Sequence, residues 1–169
     1  MSKFGDLVGK ELVWAAVKGQ KNHYEMRSGS TLLGTLIWDK SEVRGECDGK
    51  RWRFSREGFF RPRLLIHEDG SNETFASLEV GAIGSGRLAF ADGRNFSWVQ
   101  RGLFSSTWGF VDENKTPLLS FKLTSGLLTT GATATLEDKA ANLPDAPMLA
   151  VLGWFVLVLY AEDAAPTGL

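Results

Sequence analysis

Between residues 11 and 136 the apolar positions come in short alternating runs, and between 148 and 160 they become continuous. Alternation predicts strands, because successive side chains on a strand point to opposite faces. The runs fall at 11–17, 23–27, 31–38, 43–47, 51–55, 59–67, 73–80, 87–91, 95–99, 107–111, 118–123 and 132–136. Trp52 and Phe54 share one face of their run and Arg51 and Arg53 the other; Phe96 and Trp98 repeat the arrangement. The Asp-Gly pairs at 48–49, 69–70 and 92–93 read as hairpin turns. Residues 81–86 read as a glycine-rich turn, and Pro62 argues for an edge, a bulge or a break in its run. No helical period appears before residue 140.

The continuous run has no polar face until Glu162 and Asp163, so it belongs inside a protein or inside a bilayer. At ~1.5 Å per residue, 148–161 reaches about 21 Å, short of the ~30 Å of a bilayer core. No Lys or Arg follows it as an interfacial anchor. The pattern therefore predicts a buried helix over 146–163. Asp145 is its N-cap, Pro147 sits in the first turn and Pro166 is the stop. Gly153 is a poor helix former, and close approach of a strand backbone is the expected reason for it.

Ten to twelve strands with close turns make an antiparallel meander long enough to close on itself. Eight strands already make an interior that side chains fill, so about twelve need a plug. The apolar helix supplies it, and burying its large side chains is worth about 15–30 kcal/mol as an upper bound. The expected fold is mainly β: a closed antiparallel barrel of about twelve strands around one hydrophobic C-terminal helix, with residues 1–169 as a single domain.

A formal net charge of −1 gives no overall field toward nucleic acid or anionic membrane. One cysteine, Cys47, forbids an intrachain disulfide and suits a reducing cytosol. No secretory leader is visible, so the expected location is cytoplasmic. His23 and His67 are far apart in the chain, and no Gly-x-Ser-x-Gly elbow is present. The glycine-rich turn lacks the Lys-Ser/Thr of a phosphate loop. The reading is a non-enzyme with no cofactor and no metal site.

The densest chemistry is a basic and aromatic run holding Lys50, Arg51, Arg53, Arg56, Arg61 and Arg63. Arginine forks suit phosphate oxygens. If Arg51 and Arg53 share the outer face and Arg61 and Arg63 lie on the neighbouring strand, they form one patch. That patch would bind a phosphate-bearing ligand or an anionic lipid head group, with peripheral membrane contact and no transmembrane span. Solvated charges guarding strand edges are the plainer reading. A structural or protein-interaction domain without a small ligand is the alternative. Nucleic-acid binding is disfavoured, because Trp52 and Phe54 alternate away from the arginines.

Asn-Phe-Ser-Trp-Val at 95–99, followed by Thr-Trp-Gly-Phe-Val-Asp-Glu-Asn-Lys-Thr-Pro-Leu-Leu-Ser-Phe-Lys at 107–122, is similar to an aromatic strand, acidic turn and aliphatic strand. That arrangement recurs in the tubby-like superfamily, which includes the tubby C-terminal domain, the LURP-one-related proteins and the phospholipid scramblases. The resemblance implies a twelve-stranded barrel around a central helix. Tubby domains bind phosphoinositide head groups through basic residues; those residues do not align onto positions here, and none is carried over.

Overall fold

The structure, a computed structural model, describes residues 3–39, 42–58, 63–81, 85–101, 107–124 and 131–164. A 3-10 turn (Lys3–Leu7) leads into β1 (Leu12–Ala16), β2 (His23–Ser28), β3 (Thr31–Asp39), β4 (Glu42–Cys47), β5 (Lys50–Glu57) and β6 (Arg63–Glu68). Then come β7 (Thr74–Val80), β8 (Gly86–Phe90), β9 (Asn95–Arg101), β10 (Thr107–Val111), β11 (Pro117–Leu123) and β12 (Gly131–Leu136). A second 3-10 turn (Asp138–Ala140) precedes α1 (Ala146–Ala164). Each strand pairs antiparallel with the next, and β1 pairs with β12, which closes the barrel. The strand expected over 59–67 begins at Arg63; Phe59, Phe60, Arg61 and Pro62 lie outside the described residues, as do residues 82–84 and Pro166. The two 3-10 turns have no counterpart in the alternation.

Period-2 alternation sorts the strand side chains. Trp52, Phe54, Phe96 and Trp98 point into the barrel and are buried, while Arg51, Arg53, Asn95 and Ser97 lie on the outer face. The hairpin at 48–49 has positive φ at both central residues (54° for Asp48, 76° for Gly49), the twist that matches two neighbouring strands. Register shifts at Met26/Arg27, Ile66/His67 and Phe110/Val111 add the local bending that a closed sheet needs.

From Ala146 to Leu159 the helix is buried on every side. Phe155 packs against Trp38 and Phe54 at ring-centroid distances of 5.6 and 5.5 Å, and Trp154 stacks on Trp14 at 5.8 Å. Two glycines set how closely the helix approaches the wall. A side chain at Gly45 on β4 would collide with Val151 and the Phe54 ring, and one at Gly153 would collide with the Phe121 ring. The neighbour of Gly153 is thus an aromatic side chain of β11, not the strand backbone expected from the sequence. Among the described residues no helix is long and apolar enough to cross a membrane.

Because every neighbouring pair is antiparallel, the turns alternate between two ends of the barrel. The β2–β3, β4–β5, β6–β7, β8–β9 and β10–β11 turns share one end with the link into α1. We call this end the base. The helix starts at the base and runs to the opposite end, the mouth, where Glu162 is exposed. Asp145 immediately precedes α1 at the base, and its carbonyl accepts from Leu149 N (2.9 Å), the first bond of the helix. Its carboxylate receives Arg94.

Candidate functional site

The topology spreads the basic run over the full height of the barrel. Lys50 and Arg56 are six steps apart on β5, about 20 Å at ~3.3 Å per residue. Lys50 and Arg51 stand at the base, Arg53 midway, and Arg56 and Arg63 at the mouth. Lys50 and Arg56 share the parity of Trp52 and Phe54, whereas Arg51 and Arg53 lie on the outer face. Arg61 lies outside the described residues.

Arg51, Arg53 and Arg63 have local partners. Arg51 Nε lies 3.4 Å from Glu46, its cross-strand neighbour on β4. Lys50 and Arg51 border a surface hollow that they share with Glu68 and Asp69. Arg53 donates to the Ser71 carbonyl. Arg63 lies opposite Glu57 in register, 3.8 Å from its carboxylate, and donates to Ser77 Oγ at 3.4 Å. Arg51 and Arg53 do share the outer face, but the described members of the run do not gather into a single concavity.

A different set of cations does gather. At the mouth, Arg87 on β8, Arg101 on β9, Lys122 on β11, and Lys18 and Lys21 in the β1–β2 turn are all exposed. From Arg87 through β12 to Lys21, no strand or turn residue at the mouth is acidic among the described residues; Glu162, at the end of α1, is a carboxylate exposed at this end. Arg101 and Lys122 flank Thr107 in one cross-strand row, about 10 Å apart at ~4.8 Å per strand. Arg87 Nε donates to Asn95 Oδ1 at 3.2 Å. Arg101 donates to Ser120 Oγ at 3.1 Å, which in turn donates to Glu137 at 3.4 Å. Glu79 on β7, opposite Arg87, bounds the sector on one side, and Glu25 on β2 bounds it on the other.

The base is acidic for a structural reason. Its hairpins are built on Asp48, Asp69, Asp92 and Asp112, residues that stabilise tight turns. Asp112 Oδ1 accepts from Asn114 N and Thr116 N at 2.8 and 2.9 Å. Asp92 accepts from Arg94 N at 3.1 Å and from Arg94 Nε at 2.9 Å, and these bonds hold its carboxyl below the usual range. No comparable turn chemistry accounts for the cations at the mouth.

Aromatic residues crowd the same end. Tyr24, Trp38, Trp108 and Tyr160 stand at the mouth ends of their elements around the end of α1. Tyr160 accepts from Trp98 Nε1 at 3.1 Å, and burial pushes its phenol up to about 12. Along the outer face of β1 and β2 runs a groove of about 670 Å³. Val13, Ala15, Ala16 and Val17 line it, together with Lys18 and the Glu25–Arg27 ion pair.

The remaining chemistry-bearing groups are local. His67 is half-buried near the end of β6, with Nδ1 3.1 Å from the Glu73 carbonyl. Cys47 ends β4 facing the core, and burial raises its thiol to about 12, far from thiolate chemistry.

No protein-family model, curated protein or solved structure matches this chain.

Proposed function

We propose that the protein is a non-catalytic binding module that lays the mouth of its barrel against an anionic lipid surface. Lys18, Lys21, Arg87, Arg101 and Lys122 are the head-group contacts, and Arg56 and Arg63 extend the same end. The observation that carries this reading is the mouth sector itself: exposed cations from β8 round to the β1–β2 turn, with no carboxylate on the mouth ends of those strands among the described residues and Glu162 of α1 as an acidic residue beside them, opposite a base whose hairpins carry aspartates. A flat polyanion meets such a surface without any cavity. Tyr and Trp at the same end are the side chains that settle at a lipid–water interface. The resemblance to the tubby-like superfamily points toward phosphate-bearing head groups, and a cytoplasmic, peripheral location follows from this reading.

A basic residue close to an anionic leaflet is worth about 1 kcal/mol. The five together supply about 5 kcal/mol, or roughly 10³–10⁴ in partition, enough for reversible binding at low salt. Glu162, exposed beside the cations, subtracts from that total. Sedimentation with vesicles tests the reading. Binding to anionic vesicles, absent with zwitterionic ones and reversed by salt, supports it. Absence of binding to anionic vesicles at low salt ends it in favour of a protein-interaction or structural domain.

A further inference from the structure

The barrel holds two hydrogen-bond donors that the protein does not answer. Trp14 on β1 and Trp154 on α1 are 0 % and 1 % exposed, and their rings stack nearly parallel, 7° apart in plane. The Nε1–H group of each is buried and has no acceptor; among the described residues they are the two such side-chain atoms. Where the fold can answer an indole it does so, since Trp98 Nε1 donates to the Tyr160 hydroxyl at 3.1 Å. The two unanswered indoles belong to one contact, the place where α1 meets the strand that closes the barrel on β12.

The neighbours explain why no side chain answers. Trp14 lies beside Met26 on β2 and Ala132 on β12, neither of which carries an acceptor of useful strength. The inward positions of β12 that pair with β1 are small, Ala132 opposite Trp14 and Ala134 opposite Leu12. Stacked parallel rings cannot accept each other's N–H, because each N–H lies in its own ring plane and not over the partner's face. Backbone carbonyls in the ladder and the helix retain a second lone pair, so a bound water has further partners besides the indoles.

We infer that ordered water is bound inside the barrel at the Trp14–Trp154 pair, accepting the indole N–H groups and bridging them to main-chain carbonyls. It is a built-in part of the contact between α1 and β1, distinct from the charged mouth and independent of lipid binding.

Water-selective cross-relaxation on protein labelled with ¹⁵N at tryptophan tests this. The two indole signals are assigned by their contacts to Tyr24 and Met26 ring and methyl protons. The expected result is a direct water contact at the Nε1–H of one or both residues, kept in Tyr24→Phe. That variant removes the hydroxyl of the ring that meets Trp154 edge-on, through which solvent magnetisation can be relayed. No water contact at either indole, or contacts that vanish in Tyr24→Phe, overturns the inference. If Tyr24→Phe does not fold, a crystal structure of the unaltered chain decides. A solvent peak ~2.7–3.2 Å from either Nε1 sustains the site, and clear density without one removes it.

Discussion

Gly153 of α1 lies directly against the ring of Phe121 on β11, with no room for a side chain between them. Phe121 is fully buried and also packs on Trp98 at 5.8 Å, so its ring has nowhere to swing. Gly153→Ala gains up to ~1 kcal/mol of helix propensity but overpacks the core, which costs about 1–3 kcal/mol. The clash wins: we expect a net loss of about 1–2 kcal/mol in urea unfolding. Pairing the change with Phe121→Leu recovers part of that loss, so the double variant is more stable than additivity allows. Equal stability of Gly153→Ala and the parent would show that the wall yields.

Tyr160→Phe leaves the buried Trp98 Nε1–H without its acceptor, at a cost of about 1–3 kcal/mol. The same tyrosine sets an alkaline limit. Its folded pKa, about 12, lies above the unfolded value near 10, so burial favours the neutral phenol. Its stabilising contribution is complete below pH ~10 and is lost as pH rises toward 12. Burial, and then Glu162, raise Tyr24 in the same direction. Absorbance at about 295 nm should show neither tyrosine ionising at pH ~10 in the folded protein. Smooth ionisation of both near 10 without unfolding would contradict this.

What was legible in the sequence was local. Trp52 and Phe54 against Arg51 and Arg53 settle which face of β5 is inside, because a strand has period 2. Asp48 and Gly49 settle a hairpin, because both residues tolerate positive φ. The helix was legible because no face of 148–160 is polar, and the barrel followed from needing to cover it. What was not legible is which end of the barrel a residue occupies. That depends on how many turns precede it and on β1 meeting β12, both properties of the whole chain. Density along the chain therefore drew attention to Lys50–Arg63, which the strand direction disperses. Lys18, Arg87, Arg101 and Lys122 share an end only after closure, and counting strand ends by parity is the signal that finds them.

Arg94 ties the base of the barrel to the start of α1. It bonds Asp92 and Asp145 and lies over the Phe90 ring, 4.3 Å from its centroid. Its side chain is 42 % exposed, so solvent screening limits the pair with Asp145 to about 0.5–1 kcal/mol. Arg94→Ala should lower Tm by a few degrees at neutral pH. The carboxyl of Asp92 is depressed, first by the Arg94 backbone N–H and then by its side chain. Arg94→Ala keeps the backbone bond and loses the side-chain one, so only the side-chain share separates parent from variant; it is present above the unfolded value near 3.9 and is lost as pH falls through the lower folded one. The gap between parent and variant should therefore narrow below pH ~4. A gap that persists unchanged in acid would mean that Arg94 acts through its packing on Phe90 alone.

The two ends of the barrel make opposite predictions for vesicle binding. Lys50→Ala with Arg51→Ala removes two cations at the base, beside Glu46, Glu68 and Asp69. These lie beyond a Debye length of ~8 Å from a surface touching the mouth, so partition should change little or rise slightly. Lys122→Ala with Lys18→Ala removes the same charge from the mouth, and at about 1 kcal/mol each should weaken binding roughly 30-fold. Both pairs are exposed, so neither should alter folding by more than ~0.5 kcal/mol, and stability is the control. Net charge falls equally in both, so attraction set by the whole molecule would lower both alike. Only contact through one end separates them, and equal losses from the two pairs would remove the mouth as the docking face.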